Sequence, residues 1–208
     1  MKGIFANRRG FTIAEILMSA LFAMIVMAAL YGFFRDQLFQ FLSLETRTAT
    51  LEDARGAMNL MVRELRSAGA FWTTTDATCT KDGSGDPMRI VAATASSVQV
   101  HSDLDNDGNC SDAGENVTYA TSAISITACP ALNITRNSQC LVANVVIPGG
   151  VFLSYYSTGS STPLTFPIAD LTTIKRIQIT FAVQETNPNP NVGGNISYTL
   201  STSVIFRN

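Results

Sequence analysis

Arg8-Arg9-Gly10-Phe11-Thr12-Ile13-Ala14-Glu15 stands near the head of the chain, and Ile16 to Phe34 follows as nineteen residues without a charge. As a helix, that run reaches about 30 Å, the thickness of a bilayer's hydrocarbon core. Glu15 sits at its edge. A carboxylate carried to the bilayer centre costs roughly 2.5–3.5 kcal/mol, so a chain needing only an anchor gains nothing from it. The expected compensation is a cation in a neighbouring molecule.

The helical pattern continues well past the apolar run. No proline occurs before Pro87, and Leu44, Leu51, Met58 and Leu65 recur at seven-residue intervals. Thr48, Ala54, Met61 and Val62 fill the same stripe, while Glu45, Arg47, Glu52, Asp53, Arg55, Arg63, Glu64 and Arg66 take the remaining faces. One helix is therefore expected from about Phe11 to Ala68, roughly 85 Å long, with Gly69 as its stop. Beyond it the composition turns to Ser, Thr, Asn and Gly with short β-branched runs. Strands are expected at Met88–Ala93, Ser97–Ser102, Asn116–Ala120, Ala123–Thr127, Leu141–Ile147, Val151–Ser157, Ile174–Val183 and Ile196–Phe206. In the last two, apolar residues alternate. Ile177, Ile179, Phe181 and Val183 share one face, and Ile196, Tyr198, Leu200, Val204 and Phe206 another. The stretch from Thr186 to Gly194, with two prolines and two glycines, reads as a long hairpin connection. The fold class is α+β, an antiparallel sheet laid against the amphipathic half of one long helix.

The basic residues, the Gly-Phe junction, the glutamate at fixed spacing and the apolar run together resemble the N-terminal signature of type IV prepilins and the related pseudopilins. A secretory signal peptide fits less well, because the apolar run exceeds the usual h-region of about 7–15 residues. The resemblance implies a pilin-like fold and cleavage by prepilin peptidase between Gly10 and Phe11. Phe11 then becomes the N-methylated terminus, and Glu15 meets the terminal amine of an adjacent subunit. The implied organisation is a leader over 1–10, a transmembrane and assembly half of the helix over 11–34, an amphipathic half over 35–69 and a β-rich globular domain over 70–208. Glu52 to Ala70, the Asp-rich segment Asp103 to Gly108, Ile174-Lys-Arg-Ile-Gln-Ile-Thr-Phe and Ser201-Thr-Ser-Val-Ile-Phe-Arg-Asn further resemble the W-type minor pilins. The J-type minor pseudopilins of type II secretion share the size and layout. The implied partners are other major and minor pilins, the peptidase, the bacterial inner membrane and the pilus assembly platform. The implied location is a single-pass inner-membrane protein with a cytoplasmic N-terminus and a periplasmic domain, later taken into a filament.

Removing the leader takes away Lys2, Arg8 and Arg9 and moves the formal charge from −2 to −5. Positive residues then lie on the cytoplasmic side of the span, as the positive-inside rule expects. An acidic exported part with two lysines offers no basic stripe for nucleic acid. All four cysteines, Cys79, Cys110, Cys129 and Cys140, fall in that part, and their even number favours two disulfides. Three pairings are open. The favoured one is Cys129–Cys140, closing a short loop around Pro130, which leaves Cys79 with Cys110. A zinc site lacks any C-x-x-C spacing.

Asp103-Leu-Asp-Asn-Asp-Gly108 is the one constellation that points to a ligand. The D-x-D-x-D-G spacing turns Asp103, Asp105 and Asp107 to one side of a tight loop, and hard oxygen donors so spaced suit Ca²⁺. The Asn109 carbonyl, Asp112 and Glu115 are available to complete the shell. The loop departs from an EF-hand, since the position of the bidentate glutamate is Gly114, with Glu115 one step late, and the flanks read as strands. The rival reading is a metal-free polar hairpin, as Asp, Asn and Gly are ordinary turn residues.

His101, the sole histidine, has no nucleophile motif beside it. Phe71 and Trp72 read as packing at the helix end, and the sequons at Asn116, Asn133 and Asn195 as chance. The leading function is therefore a minor pilin that assembles by packing and one compensated charge rather than by catalysis. A type II secretion pseudopilin follows. A tip adhesin using the Asp103–Asp107 loop represents the binding modules, and a membrane-tethered enzyme has no motif behind it.

Overall fold

A computed structural model describes residues 10–70, 78–123, 129, 132–187 and 193–206. Helix α1 runs from Ile13 to Ser67 without a break. Thr12 caps it in extended conformation. Its hydroxyl accepts the Glu15 N–H at 3.3 Å, and the Glu15 carboxylate accepts the Thr12 N–H at 2.9 Å. This reciprocal arrangement satisfies two N–H groups that a helix start otherwise leaves unpaired. At the other end Gly69 turns the chain at φ +75°, and its N–H donates to the His101 carbonyl at 2.9 Å. Any side chain there would be strained, and its Cβ would lie 2.9 Å from Cβ of Arg89.

The β domain holds two antiparallel sheets, where the sequence pointed to one. The first is a meander of β1 (Ile90–Ala93), β2 (Ser97–His101), β3 (Asn116–Ser122), β4 (Asn133–Arg136) and β5 (Gln139–Val142). The second is built on β8 (Arg176–Thr186). Its one edge takes β6 (Val145–Val146) and β7 (Leu153–Tyr156), and the other pairs along its whole length with β9 (Asn195–Ile205). Strand β4 was not expected. It forms a tight hairpin with β5 through Asn137 and Ser138 at φ 49° and 65°, the left-handed pair that matches strand twist. The expected single strand over Leu141–Ile147 is divided. Asn144 takes φ 53° between β5 and β6, which pair in different sheets. The expected strand over Ala123–Thr127 lies, beyond Ala123, outside the described residues. So do Phe71, Trp72 and the middle of the 186–194 connection.

The last part of α1 packs against β8, β9 and β5. It buries Ala54, Ala57, Met58, Met61 and Leu65 in one core with Ile177, Ile179 and Phe181 of β8 and Val204 of β9. Each large side chain so buried stabilises by about 1.5–3 kcal/mol relative to exposure. The stripe is shorter than the heptads imply. Leu44 is 60% exposed, Leu51 is half-buried, and burial begins at Ala54. Upstream no residue of α1 is buried, and the apolar stretch of the helix is long enough to cross a membrane.

Candidate functional site

The connection from Ser102 to Glu115 links β2 to β3. Its base is held by the His101–Asn116 pairing and by the Ser102 N–H donating to the Glu115 carbonyl at 2.9 Å. Within it the aspartates cap successive turns. Asp103 Oδ2 accepts the Gly108 N–H at 3.2 Å, Asp105 Oδ1 the Asp107 N–H at 3.2 Å and Asp107 Oδ1 the Asn109 N–H at 2.8 Å. Asn106 at φ 61° and Gly108 at φ 82° supply the left-handed steps that fold the backbone around them. Glu115, just before β3, turns back over the loop. Its Oε1 accepts the N–H groups of Leu104 at 2.6 Å and Asp105 at 3.4 Å.

Four carboxylates thereby converge. Asp103, Asp105, Asp107 and Glu115 each bring an oxygen within 4.8 Å of the others. Asp105 and Asp107 face solvent, whereas Asp103 is fully buried and Glu115 is 3% exposed. Asp103 Oδ1 and Glu115 Oε2 are buried with no hydrogen-bond partner. No ion pair among the described residues reaches any of the four. Of the expected further ligands, Asp112 points its carboxylate elsewhere, and the Asn109 side chain, whose residue was expected to offer its carbonyl, is engaged with it. Asn109 donates from Nδ2 to Asp112 Oδ1 at 2.7 Å, and its Oδ1 accepts from Thr78 Oγ1 at 3.0 Å and the Ser111 N–H at 3.1 Å. Asp112, bound to Asn109 in this way, stays outside the convergent group.

The loop is fastened on two sides. Cys110 is bonded to Cys79, and its N–H donates to Thr78 Oγ1 at 2.9 Å. Asp103 donates its N–H to the Ala70 carbonyl at 3.3 Å, just past the end of α1. The second disulfide joins Cys129 to Cys140 on β5. His101 is buried opposite Asn116, and burial pushes its imidazole below the ordinary value, with the Asn116 side chain acting in the opposite direction. Of the sequons, Asn133 is fully buried and Asn195 exposed.

The helix N-terminus presents Phe11 at 85% exposure next to Gly10, with Thr12 and Glu15 joined in the capping box. Glu15 thus already has a local role in the single chain, which the T-x-x-E spacing could have announced. A third polar cluster had no sequence signal. Glu64, expected on a solvated face, receives three hydrogen bonds from Arg136 of β4, Nε to both oxygens at 2.9 and 3.2 Å and Nη2 to Oε1 at 2.9 Å, and one from the Tyr119 hydroxyl of β3. It ties α1 to the first sheet. Comparison of the chain with protein-family models, with curated proteins and with solved structures finds no match.

Proposed function

We infer that this chain is a filament-assembly subunit, a minor pilin of a type IV pilus. It is held in the inner membrane by the first half of α1 before it joins the filament. The observation that carries this reading is the split in one unbroken helix. Over residues 13–49 the helix buries nothing, although this stretch includes the most apolar part of the chain, while from Ala54 onward it forms the core of the β domain. An apolar helical rod rigidly continuous with a globular head requires an apolar medium around the rod. A bilayer supplies it first, and the rods of neighbouring subunits supply it afterwards. In this reading the peptidase cuts between Gly10 and Phe11, Phe11 is methylated, and Glu15 pairs with the Phe11 amine of the next subunit in a low-dielectric setting that strengthens the attraction.

Glu15→Ala tests it. The mutant should insert, be cleaved and form both disulfides, yet fall out of sheared filaments probed for this chain. Incorporation at the wild-type level would leave Glu15 a helix cap and this chain an anchored domain. The type II secretion pseudopilin shares the same rod and head. The pilins that co-purify with the chain, and loss of pili on its deletion, separate the two.

A further inference from the structure

We propose that the loop between β2 and β3 is a binding site for one Ca²⁺ ion, held by the carboxylates of Asp103, Asp105, Asp107 and Glu115, and that the ion locks the end of α1 to the first sheet. A polar turn accounts for Asp105 and Asp107, which are exposed and cap backbone N–H groups. It does not account for Asp103 and Glu115. Both are buried within 4.8 Å of two further carboxylates, and each keeps one oxygen without a partner. Buried carboxylates are ordinarily paired or bound to a metal, because an uncompensated one loses its hydration for nothing. A cation satisfies both orphan oxygens at once.

The chemistry of the donors selects the ion. All four are hard oxygens, which disfavours zinc and copper relative to calcium and magnesium. Magnesium demands near-octahedral geometry and keeps several waters, whereas two of these carboxylates are buried, one arriving from the loop and one from a strand edge. Calcium accepts irregular shells of six to eight oxygens. The position of the site gives the ion its structural consequence. Asp103 bonds Ala70 through its backbone N–H, Gly69 bonds the carbonyl of His101, and the Cys79–Cys110 disulfide holds the far side of the loop. Cation binding therefore rigidifies the point where the rod enters the head. This inference is independent of the assembly reading and would hold for an anchored domain of any function.

The test uses the full chain in detergent, stripped with chelator and titrated calorimetrically with CaCl₂ or MgCl₂. The expected result is one saturable Ca²⁺ site with weaker or no Mg²⁺ binding. Calcium at a hundredfold over its dissociation constant should raise the melting temperature by about 5–10 °C over chelator. Asp105→Asn and Asp107→Asn are the informative variants, since both side chains are exposed and folding should survive their change. Loss of second-sphere partners already weakens metal sites about ten- to a hundredfold, so losing a direct ligand should weaken Ca²⁺ by at least about tenfold. No saturable Ca²⁺ heat, with coincident melts in calcium and chelator, would overturn the proposal. Wild-type Ca²⁺ affinity in the Asp105→Asn, Asp107→Asn double variant would overturn it equally.

Discussion

Leu44 and Leu65 occupy the same position of the same heptad stripe on the same helix, yet one is 60% exposed and the other 1%. Both lie in the amphipathic half, where burial begins only at Ala54, and the contrast widens when the two halves of α1 are compared. The N-terminal half is the more apolar and buries nothing, while the C-terminal half is studded with charge and supplies the core. Periodicity decides which face of a helix is apolar. It does not decide what lies opposite. The C-terminal half is stabilised by its own chain, and the N-terminal half waits for something outside it.

The largest expected effect lies on the packed side. Leu65→Ala and Met61→Ala each remove a fully buried side chain from the seam of α1 with β8 and β9. Each should lower the unfolding free energy of the head by about 2–5 kcal/mol. Leu44→Ala should change it by less than about 0.5 kcal/mol. Urea unfolding of the full chain in detergent, followed by near-UV circular dichroism, gives all three. Equal losses at 44 and 65 would erase the distinction between the exposed and the packed parts of the stripe.

A smaller effect is expected where the packed half makes its polar contact. Glu64 is 16% exposed and Arg136 27%, so their pairing is only partly screened, and Tyr119 donates to the same carboxylate. Glu64→Ala leaves a buried hydroxyl and a guanidinium without their acceptor and should cost about 1–3 kcal/mol. In a cycle with Arg136→Met the two changes should be non-additive, with coupling of about 1 kcal/mol in the same urea assay. Strict additivity would make this bridge incidental.

Legibility follows the same division. Helix α1 and the β8–β9 hairpin were readable because long, regular alternation encodes them locally. Strand β4 is only Asn133–Arg136, and its signal was the Asn137-Ser138 turn rather than its own residues. The break at Asn144 was hidden inside an apolar run, and the division into two sheets depends on pairing between distant segments. In the acidic loop, the spacing of Asp103, Asp105 and Asp107 and the nearness of Glu115 were visible. The engagement of Asn109 by Thr78 and Asp112 was not, because Thr78 comes from thirty-one residues away. Glu64 looked like any surface charge until β3 and β4 were placed over it.

Alkaline pH probes the head alone. Tyr119 and Tyr155 are buried, and burial pushes both hydroxyls above their ordinary value of 10.0. The unfolded chain therefore loses these protons first. The stability they contribute is complete below about pH 10 and declines as pH rises from there through their folded values. The slope approaches about 1.4 kcal/mol per pH unit for each fully shifted group. Tyr155→Phe should flatten the decline between pH 10 and 11 in urea titrations. An unchanged slope would mean that the hydroxyl titrates freely in the folded head.

The smallest effect on stability is expected at the far end of the rod, and there it carries the most meaning for assembly. Glu15 serves the capping box with Thr12 and lies far along α1 from the first buried residue, Ala54. Neither Glu15→Ala nor Glu15→Gln should alter unfolding of the head by a measurable amount. The two differ chemically. Glutamine also closes a capping box, so Glu15→Gln keeps the helix start while removing the charge. Alanine removes both. If the charge pairs with the Phe11 amine of the next subunit, the two variants should be nearly equally absent from sheared filaments. If filament entry returns with glutamine, the helix cap is what matters, and the charge-pair reading of Glu15 fails although the head and the rod are unchanged.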